Sequence, residues 1–199
     1  MSRFIRFPSL AALAVCAAPA FADPVNITPD IASVMVPTDT TPVEIRRNQD
    51  NDAVLTGEWA RTSRPCPNFC IQPMSPAEGV TTIGELELLA ALQDPDVIVT
   101  DSRVRSDYLG GTIPGAIHLP YTEVADRLDV LGCEVDFDGF DCTNASRVVL
   151  FCNGPWCGQS PTAIRRMIAA GFPAERISYY RGGMQVWRML GLTVIEPAN

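Results

Sequence analysis

From residue 80 onward, short apolar runs typical of strands alternate with segments of helical periodicity, and this alternation restricts the fold more than any other feature. The runs are rich in β-branched and apolar side chains and are bounded by polar or turn residues. They lie at 97–100, 116–119, 147–151 and 177–180. Because helix-sized segments accompany the strands, the pattern predicts an α/β fold whose mainly parallel sheet is flanked by helices.

Three helices are expected beside these strands. Thr82 and Glu85 have the spacing of a capping box ahead of the first helix. Ser160 followed by Pro161 offers the second helix an N-cap and a first-turn proline. A third helix is expected after the glycine pair at 182–183.

The first 22 residues have the layout of a secretory signal peptide, with early arginines, an apolar stretch and a small-residue cleavage site that ends at Ala22. We expect cleavage near Ala22 and a mature protein in the periplasm or outside the cell. A lipoprotein anchored at Cys16 is the weaker interpretation, because Val15 is bulkier than the residue that normally precedes a lipidated cysteine. After the signal peptide (1–22) we expect an N-terminal extension (23–78) and one domain (79–197).

The charge balance excludes some classes of partner. The chain carries 15 basic and 23 acidic residues, a formal net charge of −8 at pH 7. Such a surface repels nucleic acid and anionic membranes. The N-terminal apolar stretch at 10–20 is shorter than the ~18 residues that a membrane span requires. We therefore expect no nucleic-acid partner and no membrane span.

The cysteines fall into close pairs once Cys16 leaves with the signal peptide. The pairs are Cys66 and Cys70, Cys133 and Cys142, and Cys152 and Cys157. An even, paired set in an oxidising compartment favours disulfides for the first two pairs. Zinc is the competing use of these four cysteines, but their spacings are not the usual ligand pattern.

Cys152 follows the most apolar strand-like run, at 147–151, and precedes a loop that enters a helix. In parallel sheets, ligands gather beyond the carboxyl ends of the strands. Loop amides and a helix start favour an anion there and lower the pKa of a thiol towards the reactive thiolate. A buried, inert cysteine at a strand end is the alternative.

Two further segments carry a family resemblance. Residues 97–120 contain Asp-Ser-Arg at 101–103 and Gly-Thr-Ile-Pro-Gly-Ala at 111–116. Residues 180–192 begin Tyr-Arg-Gly-Gly-Met-Gln-Val-Trp. These segments resemble the two signatures of the rhodanese-like sulfurtransferase family, and the resemblance extends over about 80–195. It implies a three-layer rhodanese-like fold.

The resemblance also implies roles for individual residues. Cys152 would accept sulfane sulfur as a persulfide from a small sulfur-donor anion or another persulfide. It would pass the sulfur to a thiol acceptor, which can be part of a protein. Asp101 and Arg103 would form an ion pair that supports the loop. The substrate-binding loop would comprise Asn153, Gly154, Pro155, Trp156, Gly158, Gln159 and Ser160. We expect no cofactor and no metal.

Cys157 departs from the family pattern, because it stands where active loops carry an arginine that holds an anionic donor. Losing a charge-assisted partner removes roughly 1.5–3 kcal/mol of interaction with an anion. Thiosulfate is therefore expected to be a poor donor, unless Arg181 approaches from the neighbouring strand end.

Cys157 leaves several interpretations open. It can resolve a persulfide on Cys152, or the two cysteines can act as the dithiol couple of a thiol–disulfide oxidoreductase. A static bridge that pins the loop is a further alternative. A non-catalytic module of the same fold that binds a partner protein also remains.

Two other features resemble functional sites. His118, the only histidine, lies within a predicted strand, and we expect neither a catalytic nor a metal role for it. The acidic segment 136–141 resembles a calcium loop faintly. An acidic turn closed by Cys133 and Cys142 is favoured, because the full set of calcium ligands is missing.

The signal-peptide layout leads to a prediction about the mature N-terminus. We expect the protein to begin near Asp23 and to be recovered from the periplasm or the medium. N-terminal sequencing of fractionated cells measures both properties. An intact Met1 on the protein in the cytoplasmic fraction contradicts the prediction.

Overall fold

The computed structural model of the protein describes residues 23–137 and 139–198. The expected signal peptide and Cys16 lie outside these residues. Within them, no helix is long and apolar enough to cross a membrane.

The elements follow one another in the order that the sequence pattern predicts. The strands are β1 (Ser33–Val36), β2 (Val43–Arg46), β3 (Thr81–Ile83), β4 (Val97–Asp101), β5 (Ile117–His118), β6 (Glu134–Asp136), β7 (Gly139–Asp141), β8 (Arg147–Phe151) and β9 (Ile177–Tyr180). The helices are α1 (Glu85–Ala91), α2 (Arg105–Leu109), α3 (Gln159–Ala169) and α4 (Gly183–Met189). Short 3-10 turns occur at Gly57–Ala60, Val124–Asp126, Leu128–Leu131 and Ala174–Arg176.

The central sheet has five strands in the order β3-β9-β8-β4-β5, and every pairing in it is parallel. Asp101 at the end of β4 pairs with Phe151 on β8 and with His118 on β5. The carboxyl ends of these three strands are therefore level. The segments that follow β4 and β8 meet at one edge of the sheet, where parallel sheets gather their ligands.

Both faces of the sheet are covered, which gives three layers. Along β8, Val148 and Leu150 belong to one apolar cluster, while Val149 and Phe151 belong to the other. Helix α3 packs into the first cluster, and helices α1 and α4 pack into the second. A strand buried on both sides has a continuous apolar sequence, as β8 does. The expected α/β fold with a parallel sheet flanked by helices is confirmed.

The N-terminal extension shares the second cluster. Strands β1 and β2 form an antiparallel hairpin whose Val36 and Ile45 are fully buried in it. Isolated bridges join Arg47 to Leu192 and Thr112 to Ile195. The boundary at 78/79 between extension and domain stays a prediction.

Two helices begin elsewhere than the capping patterns indicate. Thr82 lies in β3, where its hydroxyl donates to the Met74 carbonyl, and the Glu87 carboxylate accepts the N–H of Gly84 ahead of α1. Helix α3 begins at Gln159, so Ser160 lies within its first turn and is not its N-cap. In both cases a contact outside the helix takes the hydroxyl that the local pattern assigns to a cap.

Two disulfides join the pairs that the sequence indicates. Cys66 and Cys70 have a Cα–Cα distance of 4.8 Å, and Cys133 and Cys142 one of 4.3 Å. The second bond closes the hairpin of β6 and β7, and the acidic segment 136–141 belongs to this hairpin, apart from residue 138, which is not described. Cys133 and Cys142 are buried in the first apolar cluster.

We expect the Cys133–Cys142 bond to stabilise the fold. Replacing both residues with alanine should lower the free energy of unfolding by about 2–3 kcal/mol in the chain-entropy model, because the bond closes a short loop. Urea denaturation measures this change. The Cys66→Ala/Cys70→Ala variant is the matched control and should lose slightly less, because its loop is shorter. An unchanged midpoint for Cys133→Ala/Cys142→Ala contradicts the expectation.

Candidate active site

Cys152 lies directly after β8 at the edge of the sheet where the strand ends meet, and its side chain is buried. The Ser160 hydroxyl donates to Cys152 Sγ at 3.0 Å. The amide N–H groups of Gly154 and Ser160 also face this sulfur. The loop and the first turn of α3 thus direct donors at one buried thiol, as the position after the strand predicts.

Cys157 lies among the same donors of the loop and the first turn of α3, which we call the cradle. It is free, as Cys152 is, and only 4% exposed, so its side chain is buried within the loop. Its N–H donates to the Gly154 carbonyl at 2.9 Å, which closes the turn of the loop. The N–H groups of Asn153 and Gln159 face its sulfur. A second sulfur therefore occupies loop donors that would otherwise be free to hold an anion.

The two thiols ionise very differently. Burial raises the pKa of Cys152, but hydrogen bonds from Cys157, Ser160 and the Gly154 amide outweigh burial and lower the pKa from 9.0 to about 7. The hydrogen bond with Cys152, together with burial, raises the pKa of Cys157. One contact opposes the ionisation of Cys152, because its protonated thiol can donate to the Cys157 carbonyl at 3.3 Å. The donors prevail, so Cys152 ionises more readily than Cys157, which stays a thiol.

A buried ion pair fixes the position of the loop. Arg103 donates to Asp101 through Nε at 2.9 Å and through Nη2 at 2.6 Å, and both side chains are at most 1% exposed. Arg103 Nη1 reaches Asn153 Oδ1 at 3.2 Å. Asn153 Nδ2 in turn donates to Asp107 Oδ2 at 2.8 Å. The pair therefore holds the residue next to Cys152.

Helix α4 holds the loop from the other side. The N–H groups of Met184 and Gln185 donate to the carbonyls of Cys152 and Asn153 at 3.0 and 2.9 Å. Gly183, with φ +55°, permits this approach, because a Cβ atom there would lie 2.3 Å from the Cys152 carbonyl oxygen. The glycine pair of the sequence thus serves the loop as well as the start of the helix.

Arg181 does not supply the missing cation of the loop. Its Nη2 donates to the Gln72 carbonyl at 2.9 Å and its Nε to the Pro73 carbonyl at 3.3 Å. The Gln72 N–H then donates to the Pro155 carbonyl at 2.9 Å. Arg181 therefore supports the loop through the extension.

Residues 56–75 of the extension, which we call the cap, cover the loop. The rings of Phe69 and Trp156 lie 4.6 Å apart, and the Arg64 guanidinium stands over both, 4.6 and 5.2 Å from their centroids. Arg64 also pairs with Glu58 of the cap at 3.7 Å. Aromatic and cation–π contacts of this kind contribute roughly 0.5–1.5 kcal/mol each.

A cavity of about 390 Å³ separates the cap from the loop. Pro67, Asn68 and Phe69 line it on the cap side. On the loop side it is lined by Asn153, Trp156, Cys157, Gly158 and Gln159. Gln159 Oε1, buried at this site, has no hydrogen-bond partner in the described part of the chain. The residues predicted to form the loop thus come together, with Cys157 facing the cavity.

Sequence reasoning missed several supporting residues. Thr112, which stands where the family usually has a histidine, is buried and donates through Oγ1 to Asp101 Oδ2 at 2.7 Å. The position of Asp107 within the first signature was a signal for its role. No local signal pointed to Arg64 and Phe69.

The remaining candidates lie outside this chemistry. His118 Nε2 lies 2.9 Å from the Arg103 carbonyl oxygen, and its ring stacks on Tyr108 with centroids 4.4 Å apart. Between residues 23 and 198, residue 138 apart, no group of three or more His, Cys, Asp or Glu side chains is placed to hold a metal.

The pKa of Cys152 predicts a pH profile. Alkylation of Cys152 by iodoacetamide should rise with pH through about 7, because the thiolate is the nucleophile. The Ser160→Ala variant should shift the profile to higher pH, since it removes a donor to the sulfur. Ser102→Ala is the matched control, because the Ser102 hydroxyl is equally buried and has no partner among the described residues. Peptide mass mapping measures the rates. A midpoint near 9 in the wild type contradicts the prediction.

The sequence is similar to part of a longer curated protein. An HTH-type transcriptional regulator of Mycobacterium tuberculosis, Rv0324, is 35% identical over 124 residues, which are 62% of this chain and 47% of the relative. The chain thus spans about half the length of this curated relative.

Solved structures include similar chains of low identity. A rhodanese-related protein of Thermoplasma volcanium has 20% identity and a TM-score of 0.42, covering 59% of this chain and 99% of that one. The human single-domain sulfurtransferase TSTD1 has 21% identity and a TM-score of 0.41, covering 54% and 95%. Similarities of this size say nothing about the chemistry of the site.

The family itself follows from a direct match. The sequence model described as Rhodanese-like domain matches residues 85–190, more than half of the chain. The matched region holds the parallel sheet from β4 to β9, the ion pair and both free cysteines. The chain therefore belongs to the rhodanese-like domain family.

Proposed function

We propose that the protein transfers sulfane sulfur through a persulfide on Cys152. The observation that carries the proposal is the buried Cys152 thiol at the strand end, with the Ser160 hydroxyl at 3.0 Å and a pKa of about 7. A thiolate at neutral pH can attack the outer sulfur of a donor persulfide. The donor then leaves as a thiolate, and Cys152 carries the transferred sulfur.

The Cys152 persulfide can lose its outer sulfur by two reactions. An external thiol acceptor, small or part of a protein, can attack the outer sulfur and leave with it, which restores the Cys152 thiolate. Alternatively, Cys157 attacks the inner sulfur: a Cys152–Cys157 disulfide forms, the S–S bond of the persulfide breaks, and the outer sulfur departs as HS⁻ with the Cys157 proton. The shared cradle of the two sulfurs supports this resolving role.

The charges around the loop favour a persulfide donor over thiosulfate. Cys157 is neutral, and Arg181 is bound to carbonyls of the cap. Arg64 is paired with Glu58. A doubly charged donor needs charge-assisted partners to offset the loss of its hydration. A persulfide carries less charge than thiosulfate, so the backbone amides of the cradle can bind it without a cation.

A second candidate is thiol–disulfide exchange with partner proteins. Cys157 favours it, because this thiol fills donors of the cradle that a sulfur-donor anion would otherwise use. A non-catalytic module that binds a partner protein is the remaining alternative. Such a module does not require the lowered pKa of Cys152.

We further propose that the protein works in the periplasm or outside the cell. The N-terminal signal layout and the two disulfides support an oxidising compartment.

Intact mass spectrometry after exposure to glutathione persulfide tests the sulfur-transfer proposal. The wild type should gain one sulfur atom at Cys152 and then release HS⁻. Cys157→Ser should load sulfur but release it only when an external thiol is added, because serine cannot form the disulfide. Cys152→Ser should gain none.

The control is Cys133→Ala/Cys142→Ala, whose cysteines lie in the first apolar cluster and should leave loading intact. Mixed disulfides with glutathione and no added sulfur in the wild type would favour the oxidoreductase. Loading in Cys152→Ser would refute the mechanism.

A further inference from the structure

We propose that Cys66 and Cys70 form a second redox pair, which returns the Cys152–Cys157 disulfide to the dithiol after each resolving step. The inference rests on the proposed function, because that step creates the disulfide. It gives the cap a chemical role beyond covering the loop.

The need for such a pair follows from burial. Resolution leaves Cys152 and Cys157 oxidised, and a further turnover requires two electrons. These residues are 1% and 4% exposed beneath the loop and the cap, so a protein reductant in solution has no direct access to their sulfurs in this arrangement. Cys66 is exposed and Cys70 is partly exposed. An external dithiol can therefore reach the pair in the cap.

The cap brings its disulfide next to the loop on both sides of Cys157. Phe69, which precedes Cys70, packs with a tilted ring against Trp156, which precedes Cys157. On the other side, the Gln72 side chain lies against Gly158, and its Nε2 donates to the Cys70 carbonyl at 2.9 Å.

Cys157 and the disulfide loop of the cap also face one space. Pro67, Asn68 and Phe69, the residues between Cys66 and Cys70, line the 390 Å³ cavity together with Cys157. Cys152 does not line it. The cap can therefore approach the sulfur of Cys157 but not that of Cys152.

The reaction balances as an exchange of one disulfide for another. The Cys70 thiolate attacks Cys157 Sγ, a Cys70–Cys157 bond forms, and the Cys152–Cys157 bond breaks with release of the Cys152 thiolate. Cys152 is the better leaving group, because the thiol of lower pKa leaves faster. Cys66 then attacks Cys70 Sγ, the mixed disulfide breaks, and the proton of Cys66 passes to Cys157. Cys66 and Cys70 are oxidised, and Cys152 and Cys157 are reduced.

The structure contains the product of this exchange. Cys66 and Cys70 are joined, while Cys152 and Cys157 are free. An external protein dithiol then reduces the exposed pair by the same chemistry and restores the cycle.

A crosslinking experiment tests whether Cys70 reaches Cys157. In the Cys66→Ser/Cys152→Ser variant, each pair keeps one thiol, and diamide oxidises two thiols to a disulfide. Peptide mapping should find an intramolecular Cys70–Cys157 bond whose rate of formation does not depend on protein concentration. The matched variant Cys70→Ser/Cys152→Ser keeps Cys66 instead and should form its crosslink much more slowly. Absence of the Cys70–Cys157 bond, or equal rates in both variants, overturns the proposal.

A turnover measurement keeps the proposal testable if these variants fold poorly. Steady-state HS⁻ release from glutathione persulfide is driven either by reduced thioredoxin or by dithiothreitol. In Cys66→Ser/Cys70→Ser, the ratio of the thioredoxin-driven to the dithiothreitol-driven rate should fall on the order of tenfold, because exchange depends on access to the sulfur. An unchanged ratio overturns the relay. Failure of the wild type to gain a sulfur atom on Cys152 overturns the proposed function instead, and the crosslink reports on the relay independently.

Discussion

The ion pair of Asp101 and Arg103 is the interaction on which the site depends. Moving two ions into the interior costs several kcal/mol each, and only good geometry with further hydrogen bonds offsets that cost. Here Thr112 and the backbone N–H of Arg103 also donate to Asp101, and the guanidinium also binds the Gly111 carbonyl and Asn153. Removing one partner of such a pair typically costs about 3–5 kcal/mol, because the other charge stays buried and unpaired. The pair thus fixes the loop beside Cys152.

A thiol at position 157 changes what this rigid loop can do. A guanidinium would bind a donor through charge-assisted hydrogen bonds of roughly 1.5–3 kcal/mol and would take no part in bond making. A thiol binds an anion weakly but can form a disulfide. Its hydrogen bond to Cys152 also lowers the pKa of the nucleophile. Under the proposed function, a thiol in place of the arginine lowers the affinity for an anionic donor but allows a disulfide to form after the sulfur is loaded.

The sequence predicted the sheet well because its strands are buried on both faces. Strands 97–100, 147–151 and 177–180 are mostly apolar runs, and each agrees with the structure to within a residue. Ser160 was assigned as a cap because cap patterns are local, whereas its hydroxyl contacts a sulfur on another element. The cap was not predictable for a related reason. Arg181 and Gln72 lie 109 residues apart, and no periodicity records such a contact.

Cys152 is nearly inaccessible in this structure, and the cap covers the loop that follows it. The contact between the Phe69 and Trp156 rings and hydrogen bonds from Gln72 and Arg181 hold the cap on the loop. Each of these contacts contributes about 1 kcal/mol, so all of them can break together while the packed sheet stays folded. The Cys66–Cys70 bond ties the two ends of segment 66–70 of the cap together. The ion pair and the start of α4 hold the loop independently of the cap, so the donors around Cys152 do not depend on the contacts that the cap makes.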